Sequence, residues 1–178
     1  MNKIIINILL LLLIIYACDK KDDSSDNEKY FDPQYLDTLN VRNIDEFWDD
    51  TDTMINISYF VDGNFYHHPG FITGIRYSGS EKGIAISVFA SKDIAIEAME
   101  KRINDVACLI ETGSSNDIFK DEWWYSECIP NIIFVNRWNT IIEVWYGAGN
   151  YNEFEKILIN TTKEVINRVD DLSSEITE

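Results

Sequence analysis

From Phe71 onward the chain repeats one grammar twice: two runs rich in β-branched and aromatic residues, then a run with helical spacing. "FITGIRYS" and "GIAISVFAS" flank the short stretch Gly79-Ser80-Glu81-Lys82-Gly83, and glycine with polar residues between two such runs signals a hairpin. In the second run Ile84, Ile86 and Val88 share one face and Ala85, Ser87 and Phe89 the other, because successive strand side chains point to opposite sides. A helix follows, with Ser91 as N-cap and Asp93 in the first turn. Its apolar stripe runs through Ala95, Ala98, Met99, Ile103, Val106 and Ile110, and Gly113 ends it. The second pass has "NIIFV" and "TIIEVWY" around Asn136-Arg137-Trp138-Asn139, then a capping-box-like Asn150 and Glu153. Phe154, Ile157, Leu158, Thr161, Val165 and Val169 continue one helical face.

This order predicts an α+β fold: a ββαββα pseudo-repeat forming a two-layer domain, an antiparallel sheet with both helices on one face. "INISYFV" reads as a further strand ahead of it. Pro33 and "NVRNIDEFWDD" predict an N-terminal helical or extended segment, with a short helix around Ile44 to Trp48. The 178 residues fit one domain, placed over 33–170, and the "DDLSSEITE" tail over 171–178 is expected to fray. A hydrophobic content of 46% excludes intrinsic disorder as the description of the whole chain.

Charge excludes one class of partner. The formal net charge is −16. Without residues 1–17, whose only charge is Lys3, 14 basic side chains face 31 acidic ones, giving −17. Such a balance repels nucleic-acid phosphates, and no basic patch offsets it.

The amino terminus supplies an address. Met1-Asn2-Lys3 is a short basic region, and Ile4 to Ile15 is apolar except for Asn7. Twelve helical residues reach roughly 18 Å, well short of a bilayer core of about 30 Å, whereas an export signal has this length. The segment closes on Ile15-Tyr16-Ala17-Cys18. This resembles the lipobox of bacterial lipoproteins, which implies removal of residues 1–17 and lipid attachment to Cys18. Residues 18–32 then form a charged tether whose 14 residues after the cysteine span on the order of 20 Å. The lysine-then-acidic run "DKKDDSSD" is similar to the surface-export signal of Bacteroidetes lipoproteins, and the Ile- and Asn-rich usage suits that source. Asp19 also resembles the inner-membrane retention signal of enteric bacteria. The reading favours the outer membrane and its outer surface, with the periplasmic leaflet as the alternative. Asp37-Thr38-Leu39 and Asp52-Thr53-Met54 are similar to the O-glycosylation sequon of that phylum, which implies modification at Thr38 and Thr53.

Few residues suggest chemistry. His67 and His68 are adjacent, so in an extended segment they point to opposite faces and do not readily share a metal; no metal or cofactor is expected. Cys108 and Cys128 could close a loop of about twenty residues, worth on the order of 3 kcal/mol, or remain two buried thiols; the sequence leaves both open. Glu111, Asp117, Asp121, Glu122 and Glu127 gather acid around "GSSNDIFKDEWW", yet no spacing places two of them in one cleft. The aromatic excess points elsewhere. Trp123, Trp124, Trp138 and Trp145, with Glu143 beside Trp145 on one strand face, are candidates for a protein or glycan contact surface, against the alternative that the rings complete the core.

The expected function is therefore a lipid-anchored, non-catalytic binding protein of the cell envelope. One alternative is an acidic inhibitor or immunity-type lipoprotein that neutralises a basic toxin or enzyme. The other is an envelope hydrolase that uses the acidic loop.

Overall fold

The computed structural model describes residues 28–44, 47–48, 55–60, 68–104, 109–113, 119, 123–126, 131–147 and 151–175, with the backbone alone at 60, 104, 109–113, 123–126, 151–155 and 175. Strand β1 (Lys29–Phe31) leads into two 3-10 turns, Pro33–Leu39 and Val41–Asn43. Strands β2 (Asn56–Phe60), β3 (Phe71–Ser78) and β4 (Lys82–Phe89) precede helix α1 (Lys92–Asn104). Four strands then follow, β5 (Leu109–Gly113), β6 (Trp123–Ser126), β7 (Asn131–Arg137) and β8 (Thr140–Tyr146), before helix α2 (Tyr151–Leu172) and β9 (Ser173–Glu175).

Seven strands form one sheet in the order β2-β3-β4-β8-β7-β6-β5, with every neighbouring pair antiparallel. Each unit is a meander, and the last strands of the two meanders, β4 and β8, pair at the centre from Lys82↔Tyr146 to Val88↔Thr140. The expected α+β class and antiparallel sheet are what the chain forms. The hairpins at 79–81 and 138–139 stand where the turn residues put them, the first closed by Gly79 N–H donating to the Lys82 carbonyl at 2.9 Å. Ser91 caps α1, its Oγ accepting from the Ile94 amide at 3.3 Å.

The expected placement of both helices on one face is corrected. Leu158, Val165, Ile166 and Val169 of α2 pack with Ile84, Ile86, Val88, Ile142 and Val144. Ala95, Ala98, Met99 and Ile103 of α1 pack with Phe89, Phe134 and Ile141. These two strand sets alternate along β4 and β8, so the helices cover opposite faces and the sheet is a middle layer. The two strands also end on residues of opposite faces. β4 ends on Phe89, on the α1 face, whereas β8 ends on Tyr146, which packs with the α2 face.

Further corrections concern extent. Helix α1 stops at Asn104, and Ile110, assigned to its stripe, belongs to β5; Val106 lies outside the described residues. The acidic connection contributes strands β5 and β6, giving the second unit four strands. Folded structure also extends past 33–170 on both sides, because β1 pairs with β9 from Lys29↔Glu175 to Phe31↔Ser173. Residues 173–175, expected to fray, are thus a strand.

The larger core lies under α2 and the N-terminal turns, where Phe31, Leu36, Leu39, Val41, Ile44, Phe47 and Trp48 join the strand and helix residues. Each fully buried Leu, Val or Phe there contributes roughly 1.5–3 kcal/mol. Polar groups close the seam: Trp48 Nε1 donates to the Val41 carbonyl at 2.9 Å. Arg168 of α2 donates through Nη1 to the carbonyls of Leu39 at 3.1 Å and Asn40 at 2.6 Å. Those carbonyls sit where the first turn ends on a left-handed residue, Asn40 with φ 48°.

Asn139 ties the layers at the other end. Its Oδ1 accepts from the Phe31 amide at 2.8 Å, while its Nδ2 donates to the Phe31 carbonyl at 3.1 Å and the Phe89 carbonyl at 2.9 Å. Its own carbonyl accepts from the Phe89 amide at 2.8 Å. Phe31 and Phe89 are fully buried, so these backbone groups have no water to fall back on. Asn139→Ala is expected to cost about 2–4 kcal/mol, since it orphans several buried groups at about 1–3 kcal/mol each. The drop in the urea midpoint measures it, and an unchanged midpoint would contradict this role.

Candidate functional site

The sequence-nominated residues do not converge. Cys18, Thr53, Cys108 and Cys128 lie outside the described residues, as do His67 and the acidic residues Asp117, Asp121, Glu122 and Glu127. Trp123 and Trp124 are placed by backbone only, in β6, paired with Val135 and Phe134 of β7. Glu111 stands in β5 opposite Tyr125. Thr38 is on the surface of the first 3-10 turn, its Oγ1 donating to the Tyr35 carbonyl at 2.7 Å. His68 Nε2 is 3.6 Å from Glu97 Oε1, at the edge of an ion pair.

Trp138, Trp145 and Glu143 are enclosed, with 6%, 9% and 1% exposure, so the flat contact surface expected of them is not available there. Trp145 lies over Gly83, its partner in the β4–β8 ladder; a Cβ on that glycine would meet Trp145 Cζ2 at 2.0 Å. The Arg76 guanidinium stands 4.6 Å from the ring centroid, a cation–π contact. Glu143 sits in a cross-strand row with Arg76, Ala85 and Phe134.

Trp138 belongs to the hairpin tip. It adopts φ 52°, at the first loop residue of a two-residue hairpin, where glycine is usual. Side-chain contacts hold it there: Nε1 donates to Asp170 Oδ1 at 2.7 Å, and the Arg137 guanidinium lies 4.3 Å from the ring. Arg137 also donates to Asp170 through Nε at 2.6 Å and through Nη2. This cluster fastens the hairpin to α2.

The accessible features lie elsewhere, in a groove beside α2 and in apolar side chains on the first 3-10 turn, β2 and β3. A groove of about 400 Å³ runs between Asn43 and Ile44 on one side and Asn160, Thr161, Lys163, Glu164, Asn167 and Arg168 of α2 on the other. Its three amide side chains each offer both donor and acceptor. Among the described residues the exposed large hydrophobic side chains are Tyr35, Ile57, Tyr59 and Ile72. Ile57 and Tyr59 point to one side of β2, an edge strand, and pair with the buried Tyr77 and Ile75 of β3. The Asp37 carboxylate, more than burial, raises the pKa of the Tyr59 phenol. Sequence reasoning missed this surface because β2 was read only as a strand, without its place at the sheet edge. The signal lay in its lack of any charged residue or proline.

Among the described residues no three His, Cys, Asp or Glu side chains stand close enough to hold a metal ion. Comparison with protein families finds no matching family, and no curated protein matches the chain.

Tyr77 gives this region a pH signature. Burial, then the nearby Tyr59 and Asp37, push its phenol up to about 12 from 10.0, with Arg42 opposing. The folded chain therefore holds the neutral phenol while the unfolded chain ionises near pH 10, so Tyr77's contribution is whole below pH 10 and is lost between pH 10 and about 12. Tyr77→Phe is expected to flatten that part of the alkaline decline in the urea midpoint; an unaltered decline would contradict it.

Proposed function

We propose that the chain is a lipid-anchored, non-catalytic binding protein of the cell envelope, held at the outer membrane through Cys18 and displayed at its surface. The observation that carries this reading is the order of devices at the amino terminus: a basic start, an apolar segment too short to span, a small residue before a cysteine, and a charged stretch. Ten residues separate Cys18 from Lys29, the first residue of β1. Fully extended, they reach about 35 Å, which lets the domain stand clear of a lipid head-group layer. The amide-lined groove beside α2 and, separately, the exposed rings of Tyr35 and Tyr59 support binding over catalysis.

A second reading, an acidic inhibitor of a basic toxin or enzyme, is favoured by one feature. Between Arg42 and Arg76 the chain carries six carboxylates and no lysine or arginine. Complementary charge of that kind speeds association and makes it sensitive to salt.

Membrane fractionation with fatty-acid labelling tests the anchor. Cys18→Ala is expected to lose the label and leave the membrane fraction; retention of both would overturn the reading. Protease added to intact cells separates surface display, in which the domain is digested, from the periplasmic leaflet, in which it survives.

A further inference from the structure

We infer that β2 is a docking edge that takes up an extended, cationic segment of a partner protein as an eighth strand, an inference that rests on the binding-protein reading above. Among the described residues β2 ends the seven-stranded sheet, and its residues 56–59 are all exposed. Chains usually protect such an edge with lysine, proline or a bulge, because its free backbone groups template pairing. "NISYF" carries none of these residues, whereas β5 at the opposite edge, "LIETG", carries Glu111.

The side chains extend the argument. Ile75 and Tyr77 on β3 are 0% and 3% exposed, while their ladder partners Tyr59 and Ile57 are 59% and 37% exposed. The apolar row of the core thus runs out onto the edge strand and stops uncovered. An added strand placing apolar side chains at alternate positions would continue that row, the combination used in β-strand addition.

Charge selects the occupant. The chain carries a formal net charge of −16, which favours a cationic occupant over an anionic one. A second copy of this chain, itself at −16, would meet like charge. A segment alternating basic and apolar residues meets opposite charge and supplies the apolar row.

The test uses the full chain in detergent and a nine-residue peptide of alternating lysine and valine, with an alternating glutamate and valine peptide as control. The lysine peptide is expected to slow amide exchange across residues 56–60 by tenfold or more, with affinity falling as salt rises, and the glutamate peptide to leave it unchanged. Tyr59→Lys and Ile57→Lys, at exposed positions, should abolish that protection while exchange in β4 and β8 stays native. Tyr35→Lys, the same charge change on the 3-10 turn, should retain it. Absence of slowing at 56–60, slowing by both peptides, or equal loss with Tyr35→Lys would overturn the proposal. Protection of β2 without peptide, together with a dimer mass, would replace the partner by a second copy and overturn it too. Fractionation of Cys18→Ala reads the anchor independently, and a partner captured equally by the native chain and Tyr59→Lys would leave the binding reading standing while ending the edge proposal.

Discussion

The structure depends most on the side-chain amide of Asn139. One planar group with a donor end and an acceptor end meets both backbone groups of Phe31 and the carbonyl of Phe89. It can do so because the β7–β8 hairpin turns in two residues and is braced from within. Asn136 Nδ2 donates to the Trp138 and Thr140 carbonyls at 3.2 and 3.0 Å, and Thr140 Oγ1 donates to the Arg137 carbonyl at 2.6 Å. Trp138 keeps its left-handed backbone, a conformation costing a non-glycine residue roughly 1–2 kcal/mol, through its bond to Asp170. Hairpin, helix α2 and strand β1 are therefore fixed against one another by polar contacts that no apolar surface could replace.

Much of this was legible in the sequence, and the failures are local. The strands β3, β4, β7 and β8, the cap at Ser91 and the apolar face Leu158, Thr161, Val165, Val169 follow from period and turn chemistry. Which face each helix covers does not follow. The patterns of β4 and β8 look alike in sequence, and the side each following helix takes is a tertiary choice that strand period does not encode. β5 and β6 were hidden because Glu111, Gly113 and the surrounding acid read as loop. The pairing of β1 with β9 was hidden because three-residue strands joining two chain ends have no local signal.

The aromatic residues show a different limit. A sequence rich in tryptophan offers rings for binding or for packing, and composition does not choose between them. Trp145 is committed to packing by Gly83 directly across the ladder, which leaves a floor the ring fills. That pairing could be found only once the β4–β8 register was known. Conversely, Ile57 and Tyr59 looked like ordinary strand residues until β2 was placed at an edge. Burial, not residue type, separates the two cases.

The proposed lipid anchor makes the amino-terminal entry to the fold the point of interest. The chain leaving Cys18 enters the fold at β1, and β1 is held by β9, by the buried Phe31 side chain and by Asn139. The central claim is that β1, where the chain enters the fold, is locked into the global fold and does not behave as a loose terminus. Native-state hydrogen exchange at the Phe31 amide tests this most directly. The account predicts exchange only through global unfolding, with the same opening free energy and urea dependence as the central β4 and β8 amides. Exchange of Phe31 at the rate of a fraying end, while β4 and β8 remain protected, would contradict it.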